Sequence, residues 1–144
     1  MSLVIFLGNE IAGDDSAGYE AFKEAKKEIS ARMEYVGTDI FELSRIYENE
    51  EKLVIVDAVY GIDDVVHLKN EELFSLNEKS MHAHRISAVE GLKILKATMK
   101  NFPKEAHLIG IPAKSIEKRT FSEEVIEKAV KMLKKIVKTE DGRR

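Results

Sequence analysis

Five side chains in this sequence could do chemistry together: Asp14, Asp15, Asp57, His82 and His84. Asp14 and Asp15 sit in a loop punctuated by Gly8, Gly13 and Gly18. Asp57 follows the aliphatic run Leu53-Val54-Ile55-Val56, and His84 stands just before an amphipathic segment. Two carboxylates and an imidazole form a hard-to-borderline donor set, suited to nickel, zinc, manganese or iron with positions left open. Either acid could also act as a general base on water. One of the adjacent acids has an ordinary use, since a carboxylate before a helix caps its free N–H groups. The other is then surplus to structure. The expected cluster is therefore Asp15, Asp57 and His84, with Asp14 and His82 as substitutes. His82 and His84 are two apart and point to opposite sides of an extended chain, so only one would join. Asp57 has a plainer use as well, accepting backbone amides at a strand end. His67 and His107 read as structural, and Lys114 and Arg119 as surface residues.

The elements that must position these groups follow from periodicity. Leu3 to Leu7 is a short continuous apolar run that stops at glycine, as a buried strand does. Residues 18–31 place Phe22, Ala25 and Ile29 on one helical stripe. A second strand is expected at 33–36, and Thr38-Asp39 should cap a helix over 40–47. A third buried strand, 53–56, ends on Asp57. A short strand is expected at 65–68, with a loop or single turn over 70–80. Ser87 and Glu90 fit a capping box for a helix carrying Val89, Leu92 and Leu95. A strand from His107 to Ile111 halts at Pro112. Ser122 opens the strongest helix, 122–138, with Lys131, Lys134, Lys135 and Lys138 on its solvated face. Residues 139–144 are expected as a mobile tail.

Buried strands alternating with amphipathic helices predict an α/β three-layer sandwich, a largely parallel twisted sheet flanked by helices, in one domain over 1–144. Ligands in such folds bind outside the carboxyl ends of the strands, where Asp15, Asp57 and His84 would meet. The chain has 144 residues, no cysteine and a net charge of −3. Disulfides, thiolate metal sites and a cysteine nucleophile are excluded. The charge argues against nucleic acid or an anionic membrane as partner. No apolar run approaches the roughly 20 residues of a membrane span, and the N-terminus lacks a signal-peptide layout, so a cytoplasmic monomer is expected. P-loop, dinucleotide and Gly-x-Ser-x-Gly motifs are absent.

In order along the chain, four blocks carry a resemblance: Gly8-Asn9 through Gly13-Asp14-Asp15 to Gly18, Val54-Ile55-Val56-Asp57-Ala58, His84-Arg85-Ile86-Ser87, and Ile109-Gly110-Ile111 before Phe121-Ser122-Glu123-Glu124-Val125. The sequence resembles the hydrogenase maturation endopeptidases, which trim the C-terminal extension from the large-subunit precursor of nickel–iron hydrogenases. The resemblance implies an aspartic-type or metal-assisted endopeptidase whose ligands are Asp15, Asp57 and His84. It implies a substrate face at Asn9, Gly13 and Asp14, and substrate-borne nickel rather than a resident ion, with cadmium or zinc as substitutes. Two other readings remain: a receiver-like signalling domain phosphorylated on Asp57, with Lys114 beside it, and a non-catalytic relative of the family acting as a binding module.

Overall fold

The structure, a computed structural model, describes residues 1–9, 11–75, 83–115 and 117–141, with residues 83–87 and 138–141 described by their backbone alone. A five-stranded sheet in the order β2-β1-β3-β5-β4 forms its centre. β1 (Ser2–Leu7), β2 (Arg32–Gly37), β3 (Lys52–Tyr60) and β5 (Glu105–Ala113) are parallel, and β4 (Val66–Lys69) runs antiparallel on the β5 edge. Strand alternation sends successive side chains to opposite faces. Val4, Phe6, Val54, Val56, Ile109 and Ile111 pack under α1 (Ala17–Glu28) and α5 (Glu123–Asp141). Leu3, Ile5, Leu53, Ile55 and Leu108 pack under α4 (Ala83–Thr98) and the turn that holds Ile40. Both faces are covered, which is why these strands read as unbroken apolar runs. The predicted sandwich is thus the fold found.

Several boundaries differ from those expected, for tertiary reasons. β3 does not end at Asp57 but continues to Tyr60, because β5 pairs with it as far as Tyr60↔Ala113. β5 likewise passes through Pro112. Its other neighbour, β4, reaches only Gly110, so one side of the strand is open where proline lacks an N–H. The helix expected over 40–47 is a 3₁₀ turn, Ile40–Glu42, followed by the short α2, Leu43–Ile46, with Asp39 capping Phe41 N at 2.9 Å as predicted. α3 is one turn, Glu71–Phe74. α4 begins at Ala83, so Ser87 lies within it and not at its cap. α5 is capped by Ser122 Oγ, which accepts from Val125 N at 3.3 Å, and it runs through Asp141 into the stretch expected as a tail. Its lysines 131, 134 and 135 are exposed, as the pattern requires. No helix among the described residues is long and apolar enough to cross a membrane.

Candidate functional site

The buried strand β1 delivers the chain to Gly8, and backbone contacts then shape the loop. Gly8 N donates to Gly37 O at 2.8 Å, and the Tyr35 hydroxyl donates to Gly8 O at 2.7 Å. Asn9 N donates to Asp15 O at 2.9 Å, closing the loop, while Asn9 Oδ1 accepts from Ile11 N at 3.1 Å. Gly13 turns with φ +49°, a conformation that favours glycine. The helix must then start against the strand just left. A Cβ on Gly18 would stand 1.8 Å from Leu7 O, so only glycine allows that approach.

The two adjacent acids have different fates. Asp14 is fully buried. Its Oδ2 accepts from Lys114 N at 2.7 Å, from Ser115 N at 3.1 Å and from the Thr120 hydroxyl; its Oδ1 accepts from Thr120 N and from Phe121 N at 3.3 Å. Burial alone would push its pKa up, but the donors from Thr120, Lys114 and Ser115 outweigh it and hold the carboxyl below its ordinary value. Asp14 therefore clamps the 114–121 loop to the site, its carboxylate enclosed among these donors. It caps no helix. Nothing local in the sequence announces the clamp, because Thr120 is 106 positions away. Tyr35 went unnoticed for the same reason.

Asp15 is half-buried in the 3₁₀ turn Gly13–Ser16, with its Oδ1 atom inside, and this turn lies against β3. On β3, Val56 faces Phe6 of β1, so Asp57 stands one step beyond, alongside the end of β1. Asp57 is 5% exposed, and its Oδ1 accepts from Ala58 N at 2.8 Å. Leu53 and Ile55 belong to the layer under α4, and Val54, Val56 and Ala58 to the opposite one. Alternation therefore turns Asp57 toward the α4 side. α4 leads through residues 99–104 to the start of β5, so its C-terminal end is at the amino edge of the sheet. Its 16 residues span about 24 Å back toward the carboxyl edge. Position 84 is in its first turn, at that edge. The side chain of His84 and the whole of His82 lie outside the described residues. Among the described residues, no three His, Asp or Glu side chains form a metal site.

This α/β sandwich gathers carboxylates at the carboxyl edge of adjacent parallel strands, where such folds bind ligands, and comparison with known proteins narrows the class. A family model described as HycI, hydrogenase maturation protease, matches residues 19–139. The chain is 41% identical to the protein FrxA of Pyrococcus furiosus, across 71% of this chain and 77% of FrxA. It is 37% identical to the NiFe hydrogenase maturation protease HybD from Thermococcus kodakarensis, with a TM-score of 0.75 and coverage of 94% of this chain and 97% of that one. It shares its fold with the hydrogenase maturating endopeptidase HybD from E. coli, at 23% identity and TM-score 0.75, covering 96% and 93% of the two chains. The chain belongs to the hydrogenase maturation protease family, and it is a peptidase. That membership replaces the receiver-like reading.

Proposed function

We propose that this protein removes the C-terminal extension of a nickel–iron hydrogenase large-subunit precursor once nickel has been inserted. Asp15, Asp57 and His84 offer oxygen, oxygen and nitrogen ligands to a vacant position on the ion, which the precursor itself carries. The ion then serves as template and check, because the peptide is positioned only when metal is present. A divalent ion there can also polarise the scissile carbonyl. Asp15 is the general base we favour. It sits on the rim, whereas Asp57 is almost fully enclosed and holds Ala58 N through one oxygen. Asp15 takes a proton from water as the oxygen attacks the carbonyl carbon, and returns it to the leaving amide nitrogen as the C–N bond breaks. Asn9 and Gly13 shape the loop that meets the peptide. Ile11, 88% exposed on that loop, is the apolar side chain we assign to the protein substrate.

The observation that carries this reading is the pairing of β1 with β3, which sets Asp57 beside the loop holding Asp15. The test uses a nickel-loaded precursor and follows the mass loss on cleavage. Asp15→Asn should abolish processing while the melting temperature stays within a degree or so, and nickel-free precursor should remain intact with the unaltered enzyme. Normal processing by Asp15→Asn rejects the assignment.

A further inference from the structure

At the opposite, amino edge of the sheet lies a cavity of about 270 Å³, lined by Lys52, Lys69, Lys135, His67, His107 and Glu105 among others. β5 opens at Glu105 and Asp57 pairs with Gly110, five residues further on, so about 17 Å separate this end of the sheet from Asp57. The lining is strongly basic in a chain whose net charge is −3.

Its centre is a hydrogen-bonded chain. His107, 3% exposed, holds Glu105 Oε2 through Nε2 at 2.6 Å, so Nε2 carries the proton and Nδ1 is left as the acceptor. His67 Nε2 stands 2.7 Å from that Nδ1 and donates to it. The two rings are tilted by only 20° with centroids 5.0 Å apart, so they lie nearly edge to edge. That gap fits one shared proton. A metal ion would need about 2.0–2.1 Å to each nitrogen and would force the rings apart. The proton-accepting atom left over is Nδ1 of His67, on an exposed residue. Lys52, with its side chain 10% exposed, is oriented by Ile136 O at 2.8 Å and by Glu105 at 3.8 Å.

We propose that this cavity binds a phosphate-type oxyanion, with Lys52, Lys69 and Lys135 supplying the charge and His67 taking up one proton at Nδ1 as the anion enters. Lysine ammonium groups bind phosphate as point charges, and the volume admits a phosphate together with part of a small molecule that bears it. Burial first, then the neighbouring Lys69, lowers the pKa of the empty-site His67, with Glu72 opposing. His107 is lowered too, by burial first, with Glu105 opposing and His67 and Lys52 adding to the fall. The pair is therefore neutral at pH 7 until an anion arrives. The groups facing it are Glu105 and His107 on β5, Lys69 on β4, Glu72 on α3, Lys52 on β3 and Lys135 on α5. The sign follows: affinity rises as pH falls, by up to about tenfold per unit for one proton.

The test is calorimetry on the intact protein without precursor, so its outcome does not depend on the protease reading. Sulfate is the first probe because its own charge is constant from pH 6 to pH 8; inorganic phosphate and glycerol 3-phosphate follow. Expected are saturable binding, uptake of about one proton when buffers of different ionisation enthalpy are compared, and at least about tenfold weaker binding by the Lys69→Met, Lys135→Met double variant. His67→Asn should bind without proton uptake. Tighter binding of the ester than of free phosphate, or the reverse, supports the site and identifies its source. Absence of saturation at about 10 mM, equal affinity in the double variant, or unchanged proton uptake in His67→Asn overturns it.

Discussion

At the carboxyl edge of the sheet, Asp14 and Asp57 accept hydrogen bonds from main-chain N–H groups: those of Lys114, Ser115, Thr120 and Phe121 for the first, and that of Ala58 for the second. At the amino edge, Glu50 and Glu105 are matched by side chains. Arg32 lies 2.7 Å from Glu50, His107 lies 2.6 Å from Glu105, and Lys52 lies 3.8 Å from Glu105. A backbone amide stabilises a carboxylate without cancelling its charge. An ion pair cancels it. An acid held by amides keeps its charge, whereas one paired with arginine or imidazole has it offset by the partner. The same sheet thus has one edge where enclosed carboxylates are held largely by main-chain N–H groups and another where they are matched by charged side chains.

The largest test of this contrast is Asp57→Asn. The amide oxygen can keep the bond from Ala58 N, so folding should persist, while processing of nickel-loaded precursor falls steeply because the ion loses an anionic ligand. Near-wild-type turnover would remove the functional half of the comparison. Next is Asp14→Ala, which leaves buried amide donors without their acceptor and should cost about 3 kcal/mol in urea unfolding. The pH dependence sharpens it. The folded pKa of Asp14 is depressed, so its contribution is fully present above its unfolded value and is lost as pH falls through the folded one. Asp14→Asn should therefore flatten the acid limb of the stability profile, below about pH 4. At the other edge, Arg32→Ala strands Glu50, whose side chain is 1% exposed, and should cost about 2 kcal/mol with processing unchanged. The smallest effect is expected from Lys128→Ala. Its partner Asp64 is on the surface, so calorimetry should show no resolvable change in Tm.

What could be read in advance followed from local pattern. The unbroken aliphatics of 3–7, 53–56 and 107–111 announced strands buried on both faces. The 3.6-residue stripe of Ile126, Ala129 and Leu133 announced α5, and glycines 8, 13 and 18 marked a loop under close approach. Asp15 and Asp57 stood out because carboxylates rarely follow such runs without a task. The different surroundings of Asp14 and Asp15 have a physical source: two adjacent acids look alike in one dimension, yet a helical turn sends them in different directions. Only contact with Thr120 and its neighbours shows which is enclosed. The strand limits were misjudged because pairing with β5, not composition, carries β3 on to Tyr60.

Chain order alone thus determined the layers, the parallel sheet and the edge where acids collect, because burial periodicity and strand ends are local properties. Tertiary structure decided which carboxylate is a clamp and which side of the sheet Asp57 faces. It also joined His67 to His107, residues 40 positions apart whose partnership exists only because β4 turns back against β5. Hydrogen-bond partners across such distances are selected by register and packing, and no short window of sequence contains them.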